Sequence, residues 1–360
     1  MKTQQETYLD FLGRPDTKMA IPVFQRMYTW SPWQCEELLD DIVKAGTNDE
    51  THFIGSIVFT SEQLDAAHGN CELRNIVDGQ QRTTTVTLLF TALRDYLREH
   101  GDTCGLSAQD IEDRYLYVTA PNGTRSVKFT AAPADHATYL YLLEGADKPE
   151  DYRFSKRIER NYRFFADQFA SEGFDFNVLL KGLGQLFAIV VELSGDDNPQ
   201  LIFEGINSKG MALNTGDLLR NKLFYGNDEA EQERLLATYW EPIEALFEED
   251  EDESNFNAAL RMWLVSKDEE LEKYTPYELY SGFRKYLNES YEGTTQDLMA
   301  ELLEHCKKFR RLIDAPMVKK HLNWATGETG FGKGYGVTVG MATQSMYNAA
   351  VGATGGRMFP

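Results

Sequence analysis

Asn75-Ile76-Val77-Asp78-Gly79-Gln80-Gln81-Arg82-Thr83-Thr84-Thr85 joins two apolar segments of different period. Leu73 to Val77 reads as a short buried strand. From Thr83 onward, Val86, Leu88, Leu89, Leu93, Tyr96 and Leu97 fall on or near one helical face. A strand that passes through a glycine turn into a helix leaves unpaired backbone N–H groups at one spot, which suits an anion. The same residues also describe an ordinary strand–turn–helix joint with a polar cap. On the first reading Arg82 supplies a planar fork for phosphate, and Asp78 holds a metal ion or orients a water.

Working outward on the N-terminal side, Phe53 to Thr60 is apolar on both faces and predicts a central strand that forms a hairpin with the strand ending at Asp78. Gly55 and Ser56 then lie near the glycine turn. Further upstream, Ser31-Pro32 with Gln34 predicts a helix start with a capping box, followed by Leu38, Leu39, Ile42 and Val43 on the buried side. The preceding Gln25-Arg26-Met27-Tyr28-Thr29-Trp30 is a loop or short strand. Alternation puts Arg26, Tyr28 and Trp30 on one side and Gln25 opposite. This is either a packed aromatic corner with Arg26 in a salt bridge, or a pocket wall where an aromatic ring stacks a base and Arg26 meets a phosphate.

On the C-terminal side, the helix from Thr83 stops at Gly101. Residues 108–117 and 133–143 predict helices, with a short strand at 126–130 between them. A helix from Tyr152 to about Ser171 carries Phe154, Ile158, Tyr162, Phe165 and Phe169 as a core stripe. A helix over 176–183 and a strand over 186–193 follow. Near residue 207 a helix ends, and Asn214 caps another with Asp217 at its third position, where a carboxylate suits the helix dipole. Asn207, Ser208 and Lys209 occupy the turn between them. From 226 onward the pattern predicts helices at 229–247, 256–266, 275–288 and 296–313. Gly327 to Pro360 is glycine-rich and reads as a loose tail or a truncated remnant. The expected domains are 1–225, a helical 226–326, and the tail 327–360.

Composition limits the chemistry. With 42% hydrophobic and 26% charged residues the chain buries a core, and its net charge of −21 repels a polyanion, so contact with DNA must come from a local basic pocket or a partner. Glu248 to Glu253 is an unbroken acidic run that reads as a solvated loop. The four cysteines have neither zinc spacing nor a disulfide framework. There is no apolar leader and no 18-residue apolar span, so the expected location is the cytoplasm, with no membrane partner.

Three motifs in order, Gln25-Arg26-x-Tyr28-x-Trp30, Ile76-Val77-Asp78-Gly79-Gln80-Gln81-Arg82-x-Thr84-Thr85 and Phe203-Glu204-x-x-Asn207-Ser208-x-Gly210 with Asp217 beyond, make residues 8–225 resemble the N-terminal domain of GmrSD-type, modification-dependent type IV restriction endonucleases. The resemblance implies an α+β, ParB/sulfiredoxin-like domain with several helices, here followed by an all-helical domain. It implies that the Asp78–Arg82 loop binds and hydrolyses a nucleoside triphosphate with Mg²⁺. Asp78, Gln80, Gln81 and Arg82 would be catalytic, with Asp78 on the metal. Gln25, Arg26, Tyr28, Trp30, Gly79, Thr83, Thr84, Asn207 and Lys209 would bind nucleotide. No Gly-x-x-x-x-Gly-Lys-Ser/Thr sequence occurs, so this is not a P-loop. Family members commonly continue into an HNH-type nuclease domain. Here His305 and His321 are the only histidines beyond 136 and neither sits in such a motif, so the cutting half is expected to be missing, encoded separately or removed. The expected role is therefore a triphosphate-hydrolysing component that regulates a separate nuclease acting on modified DNA. A non-enzymatic sensor of nucleotide or modified DNA, and a DNA-nicking site at Asp78–Arg82, are the alternatives.

Overall fold

The computed structural model describes residues 1–64, 71–120, 123–145, 154–194, 197, 202, 215–224, 227–247, 254–267 and 278–314. Asn207, Lys209, the acidic run and the glycine-rich tail lie outside these residues. Two compact units divide at Gly210/Met211, so the helix beginning at Thr215 falls in the second unit, whereas the sequence placed a boundary near 225.

The first unit contains β1 (Lys2–Thr7), α1 (Tyr8–Leu12), β2 (Thr17–Ala20), α2 (Pro32–Asn48), β3 (His52–Gln63), β4 (Glu72–Asp78) and α3 (Gln80–His100). After these come α4 (Ala108–Ile111), a π-helical turn at Glu112–Leu116, β5 (Tyr117–Thr119), β6 (Arg125–Val127), β7 (Phe129–Thr130), α5 (Pro133–Glu144), α6 (Lys156–Phe169), α7 (Phe176–Gln185) and β8 (Leu186–Leu193). One six-stranded mixed sheet has the order β1-β8-β3-β4-β2-β7, and β5 pairs only with β6. The β3–β4 hairpin is antiparallel, while β3 runs parallel to β8 and β4 parallel to β2. The unit is thus α+β, with the expected central strand β3 between two neighbours.

Local chemistry explains most of these elements. Ser31, Pro32 and Gln34 start α2 as the sequence predicts: Gln34 Oε1 accepts from the Ser31 backbone N–H at 2.8 Å. Ile158, Phe165 and Phe169 of α6 are fully buried, which makes the aromatic stripe core. α3 buries threonines as well as aliphatic residues. Thr83, Thr85, Thr87 and Thr91 each donate to the carbonyl four residues earlier, at 2.8–3.0 Å, so their hydroxyls enter the core already satisfied. The helix expected at 108–117 is present as an α turn continued by the π turn to Leu116, and the region expected as one strand at 126–130 is split between β6 and β7.

Lys128 is a buried cation between those two strands. It is 1% exposed, and its Nζ donates to the Arg14 and Arg114 carbonyls at 2.7 and 2.8 Å. Burial, reinforced by Arg114, lowers its pKa to about 8. Below that pH both folded and unfolded chains carry the charge, and folding bears its desolvation. As pH rises from about 8 toward the ordinary lysine value near ~10.4, the folded form loses the proton first and the penalty is relieved. Relative to Lys128→Met, the native chain should therefore gain stability across that window, by on the order of 2 kcal/mol. Denaturant unfolding of both proteins at the two ends of the window checks this; parallel pH curves would contradict it.

In the second unit the described elements are α8 (Thr215–Phe224), α9 (Glu229–Leu235) with a π-helical turn at Leu236–Trp240, α10 (Glu241–Phe247), α11 (Ser254–Lys267), α12 (Leu279–Glu289) and α13 (Thr295–Asp314). Trp240 and Trp263 are buried at its centre, the latter stacked on Phe283 with ring centroids 5.3 Å apart.

Candidate functional site

α3 begins at Gln80, three residues earlier than its apolar pattern suggests, directly after Gly79 in a left-handed conformation (φ 92°). Its N-terminus has no side-chain cap and no acidic residue in the first turn. The first turn closes when the Thr83 N–H donates to the Gly79 carbonyl at 2.9 Å, so the amides of Gln80, Gln81 and Arg82 have no partner within the helix. Three donors and the positive end of a 21-residue helix thus meet the end of β4, where Asp78 sits with its side chain 18% exposed.

Arg82 ties this turn to β3. Its Nη1 donates to the Ile54 carbonyl and its Nη2 to the Ser56 carbonyl at 2.7 Å, and Nη2 lies 3.7 Å from Asp78 Oδ2. Ser56 Oγ donates to that same Asp78 oxygen at 3.2 Å. The guanidinium, expected on phosphate, therefore spends two N–H groups on backbone carbonyls and keeps its remaining edge beside Asp78. The two residues that present these carbonyls lie in an irregularity of β3, where its register against β8 shifts between Phe53 and Ser56. Gly55 at its centre has φ 103°, and a Cβ there would stand 2.0 Å from Arg82 Nη1. Gly55→Ala is expected to destabilise the protein by about 1–3 kcal/mol from the backbone alone, and to dislodge the guanidinium. An unchanged melting temperature would show that the bulge tolerates a side chain.

Gln81 secures the other wall. Its Oε1 accepts from the Thr29 and Trp30 backbone N–H groups at 2.8 and 3.3 Å, and its Nε2 donates to the Met27 carbonyl at 3.3 Å. Gln81, expected among the catalytic residues, uses its carboxamide in this geometry to hold the loop. The loop is not a strand, so alternation fails: Gln25 and Tyr28, three apart, are the inward residues, each 2% exposed. Gln25 Nε2 donates to the Val77 carbonyl at 3.0 Å, next to Asp78. Tyr28 lies in the core and does not offer a base-stacking face. Its hydroxyl accepts from Asn161 Nδ2 at 2.9 Å and donates to Thr85 Oγ1 at 2.6 Å, which donates on to the Gln81 carbonyl. Burial pushes the Tyr28 hydroxyl pKa well up. Trp30 and Arg26 are half-buried.

Thr83 is fully buried, bonded to the Gly79 carbonyl and to the Tyr8 hydroxyl at 3.1 Å, and Thr84 is buried beside it. Neither hydroxyl lies on an open wall. Gln80 is 9% exposed and its Oε1 has no partner among the described residues. Ser56, expected near the glycine turn, is there, whereas sequence reading missed Tyr8, Asp135 and Asn161. Asp135 accepts from the Tyr28 N–H at 2.5 Å, and Asn161 also donates to the Trp30 carbonyl at 2.8 Å. Asn161 did leave a signal: it is a short polar residue in the buried stripe between Ile158 and Phe165.

No group of three or more His, Cys, Asp or Glu among the described residues is arranged to hold a metal. A magnesium ion at Asp78 would complete its shell from phosphate oxygens and water, which is how this ion commonly binds.

Residues 8–224, more than half of the chain, match the family profile of the GmrSD restriction endonuclease N-terminal domain. The chain belongs to that family. No curated protein matches the sequence. Within the GmrSD N-terminal domain, the Asp78–Arg82 turn, the Gln25–Trp30 loop and the β3 bulge come together around the start of α3, and the family places the chain in a DNA restriction system. No helix among the described residues of this GmrSD-family chain is long and apolar enough to cross a membrane.

Proposed function

We propose that the start of α3 grips the phosphates of a nucleoside triphosphate with Mg²⁺, and that its hydrolysis regulates a nuclease acting on modified DNA. The observation that supports this most is the N-terminus of α3: a long helix with a left-handed glycine, uncapped first-turn amides and no acid in its first turn, set against one carboxylate. A natural helix start of this length usually carries a side-chain cap, and leaving it open suits an external anion.

In this proposal Asp78 holds the metal, the amides of Gln80 to Arg82 bind phosphoryl oxygens, and the free Gln80 carboxamide oxygen orients the attacking water. Arg82 shapes the β3 wall and offers its outer edge to the phosphates. Gln25 and Gln81 fix the other wall, with Trp30 and Arg26 nearest to the ribose and base; Asn207 and Lys209, outside the described residues, are further candidates for nucleotide binding. We read the domain as ParB/sulfiredoxin-like on its mixed sheet and this switch from strand to helix. The sensor reading draws on a different observation, that Arg82 and Gln81 already make structural bonds and can bind without chemistry.

Phosphate release from each of the four triphosphates in magnesium, with and without DNA, separates the two. Turnover supports the hydrolase. A ligand-dependent rise in melting temperature without turnover supports the sensor. Neither response from any triphosphate would end the nucleotide proposal.

A further inference from the structure

The second unit contains a cleft of about 430 Å³ between α10 and α13, lined by Leu246, Lys307, Arg310, Arg311 and Asp314. Lys307, Arg310, Arg311 and Asp314 recur at helical i, i+3, i+4 and i+7 positions, so they form one stripe. The first half of α13 carries Asp297, Glu301 and Glu304. The second half carries Lys307, Lys308, Arg310 and Arg311 against Asp314 alone. On a chain of net charge −21, this is a local reversal of sign.

Two ordinary explanations cover part of it. Cations near a helix C-terminus complement the dipole, but that effect fades beyond the last turn and does not reach Lys307 or Lys308. Ion pairs occupy Lys307 with Glu304 at 2.7 Å and Arg310 with Asp314 at 2.9 Å. The Lys307 pair is solvent-exposed and contributes little, so it can open to a stronger anion, whereas Arg310 is held by both oxygens of Asp314. Arg311 is exposed and makes no hydrogen bond or contact ion pair among the described residues. Phe309, buried on the opposite side of the helix and in ring contact with Phe247, keeps the cationic stripe turned outward.

We propose that this cleft is a contact site for the phosphodiester backbone of DNA. Lys307 and Arg311 are separated by a helical rise of about 6 Å, and phosphates recur about every 3.4 Å of axis along each strand. The two cations are therefore spaced to meet phosphates about two steps apart on one strand. Leu246 supplies an apolar wall rather than a base-reading group, so the contact positions DNA without reading its sequence. This site is independent of the triphosphate turn and stands or falls without it.

The test is fluorescence anisotropy of the full chain with a DNA duplex of about 20 base pairs, from about 50 to 200 mM salt. Arg311→Gln removes one exposed, unpaired cation and should leave the melting temperature unchanged while reducing the slope of log affinity against log salt by about 0.9. Lys307→Glu with Arg311→Glu should weaken binding at low salt by about tenfold or more. Competition by poly-glutamate should be weaker than by DNA of equal charge. No binding by the native chain, equal affinity and slope in the variants, or equal competition by poly-glutamate would each overturn the assignment.

Discussion

Arg82→Ala is expected to abolish triphosphate turnover, with a loss on the order of 10³-fold or more. Two things leave with the side chain. One is positive charge beside the phosphates. The other is the clamp on the Ile54 and Ser56 carbonyls, which holds β3 in its irregular course and keeps Asp78 flanked by Ser56. Arg82→Lys separates them, because a single ammonium retains the charge but lacks the fork that reaches both carbonyls. If charge alone matters, Arg82→Lys recovers most of the activity; if the clamp matters, it stays nearly as inactive as Arg82→Ala. Phosphate release at saturating magnesium measures both. Turnover by Arg82→Ala at the native rate would show that this guanidinium has no part in the chemistry.

Asp78→Ala should remove the dependence on magnesium. Asp78 is the carboxylate at the end of β4, and its Oδ2 is shared with Ser56 and lies near Arg82. Without it, any residual turnover should be at least about a hundredfold slower, and it should no longer follow the magnesium concentration at which the native protein saturates. A magnesium titration of both proteins reads the difference directly. The same half-saturating concentration in the variant would move the metal elsewhere. Because the amides of α3 remain, Asp78→Ala should still bind triphosphate, so binding and turnover come apart in this variant but fall together when the β3 bulge is lost.

The elements that were legible in the sequence are those whose information is local. β8 is a continuous apolar run and appears at the predicted residues, and α2 starts where Ser31, Pro32 and Gln34 place it. The buried stripe of α6 follows from its helical spacing. β1 was not legible, because Lys-Thr-Gln-Gln-Glu-Thr is a polar edge strand whose only signal is its pairing with β8. β2 is too short for any period to register.

At the site, the passage of Asp78 and Gly79 into α3 could be read from residue types, and the approach of Gln25 to that turn only from the family resemblance; side-chain partners could be read from neither. Gln81 finds its partners about fifty residues away in a loop whose irregular path places Tyr28, rather than Trp30, in the core. Arg82 meets carbonyls that point at it only because Gly55 adopts a positive φ. Such partners depend on tertiary placement, and no spacing within the motif encodes them.

Hydrogen exchange of the native protein, with and without triphosphate and magnesium, tests the central claim most directly. Strong new protection of the Gln80, Gln81 and Arg82 amides is the expected result, since these donors would pass from water to phosphate oxygens. Saturating triphosphate that leaves those three amides exchanging at their free rate would contradict it.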